Sequence, residues 1–390
     1  MRTACAMRLA IFGLTVSSSW GNGHATLWRA LIRALARQGH TVTFFERDVP
    51  YYAAHRDATR LAGGELVLYP SWDAVLPRAR QALAACDVAM VTSYCPDAAA
   101  ATALVTEAAA RGPHAGGPLA AFYDLDTPVT LARLDRGEAV DYVPPNGFAD
   151  FDLVLSYTGG RALDALQERL GARRVAPLYG SVDPEVHSPG APRADWRCDL
   201  SYIGTYAADR QAALDAFFLA PARAAAEGRD PPRRFVLAGS QYPADFPWAP
   251  TVWYLQHLPP GDHAAFYASS RLTLNITRGA MAAMGWCPSG RLFEAAACGV
   301  PVLTDWWDGF DAFYAPGDEM LVARTADDAR AALALGDAEL RAVARRARER
   351  TLAEHTADRR AAELVAAVEG GSGRSLGTPP REPALAGAEG

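Results

Sequence analysis

The feature that most constrains this fold is an alternation of strand and helix patterns that runs through the chain twice, with a break between the runs. In the first run, residues 8–14 read as a buried strand and 25–38 as a helix with Leu27, Leu31, Ile32 and Leu35 on one side. Gly39 ends that helix and 41–45 is the next strand. Further strands are predicted at 65–69, 87–92, 119–123, 153–157 and 174–178, with helices at 73–84, 97–111 and 160–170. Between Tyr179 and Arg197 the pattern stops, broken by Gly180, Pro184, Pro189, Gly190 and Pro192. It resumes with strands at 200–204, 234–238, 252–257, 272–276, 301–304 and 320–323. Helices are predicted between and after them at 209–228, 261–270, 289–298, 309–314, 326–335 and 338–368. Alternation of this kind calls for parallel sheets joined by right-handed crossovers.

A chain of 390 residues suits two domains. The expected organisation is a Rossmann-like unit at 1–180, a hinge at 181–197, a second Rossmann-like unit at 198–369 and a disordered tail at 370–390, rich in Gly, Pro and Ser. In doubly wound α/β sheets ligands sit beyond the carboxyl ends of the strands, so two such units facing each other make one deep cleft. Arg2 and Arg8 before the apolar run 9–14 resemble the start of a signal peptide, but the run is short and a glycine-rich turn follows, so a first strand is the reading adopted. No stretch is long and apolar enough to span a membrane, and a cytoplasmic location is expected.

Every basic residue is arginine; the sequence contains no lysine. That excludes Schiff-base enzymes, P-loop nucleotide hydrolases and protein kinases. Anions must be met by arginine forks, backbone N–H groups and helix N-termini. The formal net charge of -6 argues against a nucleic-acid partner. The six cysteines form no close C-x-x-C pair and point to neither a zinc site nor a disulfide framework. No metal and no cofactor are expected.

The sharpest motif lies between Gly285 and Asp305. Pro288-Ser289 opens a helix whose free N–H groups can meet an anion. Arg291 follows in the first turn, placed to fork onto a phosphate, and Glu294, three residues on, shares its face. A carboxylate there can accept both hydroxyls of a ribose. The same residues also fit a plain helix cap with an Arg–Glu surface pair.

The stretch Gly285-Trp286-Cys287-Pro288-Ser289-Gly290-Arg291-Leu292-Phe293-Glu294-Ala295-Ala296-Ala297-Cys298-Gly299-Val300-Pro301-Val302-Leu303-Thr304-Asp305 resembles the donor-binding segment of GT-B glycosyltransferases of the CgeB-like, spore-maturation-protein group, distantly related to glycosyltransferase family 4. The likeness continues through Trp306-Trp307-Asp308-Gly309-Phe310 and Phe313–Glu319, and upstream through Leu274-Asn275-Ile276-Thr277-Arg278 with Met281. It is strong over 200–325 and collinear, more weakly, in the N-terminal half. It implies a GT-B fold, an acceptor domain followed by a donor domain, and transfer of a sugar from a nucleotide-sugar donor to a small-molecule, glycan or protein acceptor. It also implies that Glu294 holds the donor ribose, with Arg278 and Arg291 near the diphosphate. Retaining family-4 enzymes usually carry a second glutamate eight positions before the ribose ligand; here that position is Trp286, which leaves the stereochemistry open.

Gly204, ending the strand 200–204, and His257, ending the strand 252–257, are expected beside the donor, His257 near its base. On the other side, Ser19-Trp20-Gly21-Asn22-Gly23-His24 joins the first strand to the first helix, and Gly21, Asn22 and Gly23 suit a phosphate or acceptor loop. His24 is a general base or hydrogen-bond donor there, or simply a helix-start residue. The G-x-G-x-x-G spacing of a dinucleotide site is missing, with Glu46 the nearest acidic residue. Asp126, at the end of a buried strand, is expected to point into the cleft as acceptor ligand or base, or else to cap the next helix. The Asp124-Leu125-Asp126 triplet matches the D-x-D metal motif of GT-A enzymes, but two matched halves argue against that fold. His263 is expected on a solvated helix face. Two other functions fit the same architecture: sugar-nucleotide epimerisation, and non-catalytic binding of a nucleotide-sugar or glycan.

Overall fold

Each run forms its own all-parallel sheet in the computed structural model, which describes residues 6–112 and 116–370. The first sheet comprises β1 (Arg8–Gly13), β2 (Thr41–Arg47), β3 (Gly64–Tyr69), β4 (Val88–Thr92), β5 (Leu119–Asp124), β6 (Leu153–Ser156) and β7 (Val175–Pro177), in the order β3-β2-β1-β4-β5-β6-β7. The second comprises β8 (Cys198–Ile203), β9 (Phe235–Ala238), β10 (Val252–Leu255), β11 (Ser270–Asn275), β12 (Val302–Asp305) and β13 (Leu321–Ala323), in the order β10-β9-β8-β11-β12-β13. In each sheet the order reverses beside the first strand, between β1 and β4 and between β8 and β11. Those two reversals open the crevices where ligands bind in such folds.

Central strands are apolar on both faces because helices cover both. Along β1, Ala10 and Phe12 enter one core while Leu9 and Ile11 enter the other. The helix Gly23–Arg37 begins two residues earlier than its pattern suggests, because the Asn22 side chain accepts a hydrogen bond from the His24 N–H and caps it. Trp28 anchors this helix, fully buried with its ring 5.7 Å from those of Phe44 and Tyr123. Truncating it to alanine is expected to cost about 3–5 kcal/mol.

Two parts of the second run depart from the expected pattern. The predicted helix 209–228 contains a π-turn at Asp215–Leu219, which ends two residues before Pro221. The wider turn fits a proline that has no N–H to donate to the preceding turn. The predicted helix 338–368 is two helices, Asp337–Glu354 and Ala357–Val368, with Thr356 capping the second through the Arg359 N–H. That second helix returns to the first unit. Ala357, Ala361, Leu364 and Val365 join its core, and Arg37 donates from Nε and Nη2 to the two Asp358 carboxylate oxygens, each at 3.0 Å. The expected second unit, 198–369, therefore gives up its last helix to the first.

The chain thus crosses between units at two places, and the crossings are hydrogen-bonded together. The Val182 N–H donates to the His355 carbonyl (3.0 Å) and the Ala357 N–H to the Val182 carbonyl (2.8 Å). Buried Arg360 ties the knot, donating to the Gly180 and Glu354 carbonyls and to Glu363. Cys86, Cys95, Cys198, Cys287 and Cys298 are buried and free. Among the described residues no helix is long and apolar enough to cross a membrane. The predicted tail at 370–390, except its first residue, and Arg2 and Cys5 lie outside the described residues.

Candidate active site

The carboxyl ends of both sheets open onto one cavity of about 500 Å³. Its walls include all eleven residues singled out from the sequence: Gly21, Asn22, Gly23, His24 and Asp126 from the first unit, and Gly204, His257, Arg278, Ser289, Arg291 and Glu294 from the second. Tyr157, Arg210 and His263 line it as well.

The second unit's wall is built on the helix Gly290–Ala297. Ser289 is its N-cap in extended conformation, but the hydroxyl makes no cap hydrogen bond, so the first-turn N–H groups beside the cavity are left without a side-chain acceptor. The start of this helix is tied to the other unit, with the Tyr157 hydroxyl donating to the Pro288 carbonyl (2.8 Å). Arg291 is fixed in place: it donates to the Asn275 amide oxygen (2.8 Å), and the Asn275 amide donates in turn to the Thr304 hydroxyl (2.9 Å). Its guanidinium lies 5.3 Å from the Tyr202 ring centre. Gly204 makes room for it, since a Cβ there would stand 2.9 Å from the Arg291 Nη2.

Arg210 is a residue the sequence reading missed. Half-buried in the segment after β8, it donates to the Thr205 carbonyl (3.3 Å), and its Nε is buried with no partner among the described residues. Burial, with Arg291 and Arg278 nearby, pushes its pKa down. Asp209 takes Arg278, accepting from its Nε at 2.8 and 2.9 Å, so Arg278 is already paired and half exposed. Every arginine in the cavity wall comes from the second unit. Arg210 and Arg291 lack a carboxylate partner there, which suits an anion.

Glu294 lies on the same helix with its carboxylate 3.7 Å from the His263 Nδ1. Burial works to raise its pKa, but His187, His263 and Arg291 outweigh that and hold it down at about 2. His263 therefore faces the cavity and not solvent, contrary to expectation: its helix, His263–Ala268, buries Phe266 and Tyr267 and turns residue 263 inward.

The first unit's wall joins the start of the helix Gly23–Arg37 to a loop locked from below. Glu46 is fully buried and accepts from the Thr15 hydroxyl (2.7 Å), the Val16 and Ser17 N–H groups (2.7 and 2.9 Å) and the Ser17 hydroxyl (2.5 Å). It is a loop anchor with no free oxygen for a ribose. Above it, Gly21 takes a φ of 61°, which favours glycine. His24 presents its Nε2 3.8 Å from the Asp126 Oδ2, while its Nδ1 is buried without a partner.

Asp126 occupies the N-cap position of the helix Thr127–Asp135 but makes no cap hydrogen bond. Its side chain instead accepts from the Tyr94 hydroxyl (2.9 Å). Tyr94 holds a left-handed backbone, φ 64°, a strain of the kind that gathers at functional sites. Asp124, the other carboxylate of the triplet, is fully buried beneath, and burial raises its pKa to about 6. The two carboxylates do not face a common point in the cavity, because only Asp126 lines it.

His257 lies beyond the end of β10, its ring 4.4 Å from that of Trp20, which itself stacks on His55 at 4.1 Å. Trp286 is not in the cavity wall. With φ 52° it wedges between Gly160 and Gly309, where a Cβ would come within 2.4 and 2.5 Å of its ring, and its carbonyl accepts from the Gly159 N–H (3.0 Å). It pins the two units together.

Residues 210–366 match a family model described as glycosyl transferase-like. No curated protein sequence matches the chain. Among solved structures, sucrose-phosphate synthase from Thermosynechococcus elongatus is similar with a TM-score of 0.61 at 14% identity, over 92% of this chain and 97% of that one. The Anabaena protein HepE, in complex with UDP-glucose, gives 0.60 at 13%, over 92% and 99%. An α-glucosyltransferase in complex with UDP and a 13-mer DNA gives 0.62 at 13%, over 93% and 100%. The fold is that of the GT-B glycosyltransferases, and residues 210–366 form a glycosyl transferase-like domain within it.

Proposed function

We propose that the protein transfers a sugar from a nucleoside-diphosphate donor to an acceptor hydroxyl, and that it is CgeB-like and distantly related to glycosyltransferase family 4. The observation that carries the donor site is the pairing, on one helix, of a fixed Arg291 with an ionised Glu294 three residues on, both lining the interdomain cavity. In this reading Arg291, Arg210 and the N–H groups after Ser289 hold the diphosphate, with Arg278 at the rim. Glu294 accepts the ribose hydroxyls, with Gly204 and His257 beside the donor. Gly21, Asn22 and Gly23 leave room for the acceptor.

In the transfer the acceptor oxygen forms a bond to the anomeric carbon. The bond from that carbon to the phosphate oxygen breaks, and its electron pair leaves on the diphosphate. The arginines stabilise that charge as it develops. The acceptor proton passes to Asp126 or to His24 beside it, on the opposite wall. Arginine supplies the positive charge that a metal ion supplies in other transferases, so turnover is expected without added metal or cofactor.

UDP-glucose is the first donor to test, because HepE was solved with it. The acceptor is a small molecule, a glycan or a protein. Neighbours of one fold include both a sucrose-phosphate synthase and a DNA-bound glucosyltransferase, so fold does not choose the acceptor. A cytoplasmic location agrees with the lack of a membrane-spanning helix among the described residues. Incubation with UDP-, GDP- and dTDP-sugars, with and without chelator, tests the reading through nucleotide release. No release and no binding with any of them would overturn it. Trp286, standing where retaining relatives carry a glutamate, favours one second reading: a nucleotide-sugar-binding protein without turnover. Tight donor binding with no release and no transfer would identify it.

A further inference from the structure

Glu294 has neighbours that the transfer chemistry leaves unused. His187, on the crossover segment 181–197, and His263, at the start of its helix, both lie beside the carboxylate. One ligand atom from each of the three comes within 4.8 Å of the other two. The imidazole centres are 5.7 Å apart. His187 is only 2% exposed, and its Nε2 is buried with no hydrogen-bond partner. The His263 Nδ1 is buried and unpartnered too. Buried polar atoms without partners cost about 1–3 kcal/mol each, and native structures rarely leave two beside one carboxylate without a ligand to satisfy them.

We propose that His187, His263 and Glu294 form a site for one divalent transition-metal ion of the zinc class, with its fourth position open to the cavity. The donor set decides the class. Two imidazoles and one carboxylate suit zinc and its neighbours, whereas magnesium and calcium prefer oxygen alone. The three ligands come from three different elements, so the ion ties the crossover to the glycosyl transferase-like domain. Bonds of about 2.1 Å require the ligand atoms to draw in from their present separation when the ion binds.

A metal on Glu294 occupies the oxygens assigned above to the ribose, so metal and donor exclude each other. This consequence rests on the proposed donor site; the metal site itself does not. Zinc is therefore an inhibitor competitive with the donor, distinct from a catalytic ion.

Calorimetric titration of zinc chloride into chelator-treated full-length protein, with magnesium chloride alongside, tests the site. The expected result is one zinc per chain, bound with a Kd below about 10 µM, with no magnesium binding. His187→Ala and His263→Gln, each checked for an unchanged thermal midpoint, are both expected to weaken zinc at least about tenfold. His263→Gln, the more accessible position, keeps the test decisive if His187→Ala does not fold. No zinc binding, or binding that neither variant weakens, overturns the site. Titrating UDP with and without saturating zinc then tests exclusion. Zinc bound at these residues with UDP affinity unchanged would leave the metal site standing and remove Glu294 from the ribose.

Discussion

The two walls of the cleft divide the chemistry between them. All the cavity's arginines belong to the second unit: Asn275 and the Tyr202 ring hold Arg291, Asp209 holds Arg278, and the Thr205 carbonyl accepts from Arg210. The first unit offers a carboxylate, an imidazole and a glycine turn, with no cation. In the proposed function one wall receives the negative charge of the leaving group and the other the acceptor proton. Rigidity is divided as well. The second wall's key groups sit on one helix and its supports, whereas the first wall joins a loop, held from beneath by Glu46, to the first turns of the helix Gly23–Arg37. The division means that a substitution on each wall should fail differently.

Arg291→Ala is expected to have the largest effect, lowering kcat/KM by about 10²- to 10³-fold because it removes a fixed charge from the leaving diphosphate. Steady-state kinetics against the donor checks it, and a folded Arg291→Ala protein with unchanged kcat/KM would contradict the assignment.

The crossing that joins the walls gives the next largest effect. Burial, aided by Arg360, holds His355 down at about 3, well below the ordinary 6.5. As pH falls from 6.5 towards 3 the unfolded chain binds a proton there and the folded chain does not. Stability therefore drops at up to roughly 1.4 kcal/mol per pH unit. Denaturant unfolding from pH 7 to 4 measures the slope, and His355→Gln should flatten it; an unchanged slope would contradict the assignment.

Asp126→Asn is expected to lower kcat about 10²-fold while leaving the Kd for UDP unchanged, which is the signature of the proton-accepting wall. Weakened UDP binding in this variant would blur the division. Glu294→Gln keeps shape and loses charge, so the donor Kd should rise about tenfold, corresponding to roughly 1.5 kcal/mol for a charged hydrogen bond. Arg278→Ala should change kcat/KM less than about threefold, since its exposed guanidinium is already spent on Asp209. A loss as large as that of Arg291 would move the diphosphate towards the rim.

Legibility in the sequence also differed between regions. The second wall was readable because a cap, an arginine and a glutamate fall within a few residues, where helical geometry alone puts them on one face. Asp126 and His24 were readable for another reason, since each ends or follows a strand at a carboxyl edge. Arg210, Tyr94 and His187 left no such mark; each is a single polar residue in a segment whose pattern serves packing. His263 was misread because neighbouring Gly261 and Asp262 suggest exposure, while Phe266 and Tyr267, which turn the helix inward, also fit a plain core helix. The return of the last helix to the first unit was hidden as well. Leu340, Val343, Ala347 and Thr351 repeat at helical spacing, as do Ala357, Ala361 and Leu364, but the six-residue step between the sets breaks the phase. That break marks a second helix, and nothing in its spacing reveals that it packs on the first unit.

Calorimetric titration of UDP, with GDP and dTDP in parallel, into the wild-type protein, Arg291→Ala and His24→Ala addresses the division of the cleft most directly. The second wall's claim to the diphosphate predicts that the wild type binds one of these nucleotides. Arg291→Ala should bind it at least about tenfold more weakly, and His24→Ala equally well. A folded Arg291→Ala protein that binds as tightly as the wild type, or a wild type that binds none of the three, would contradict it.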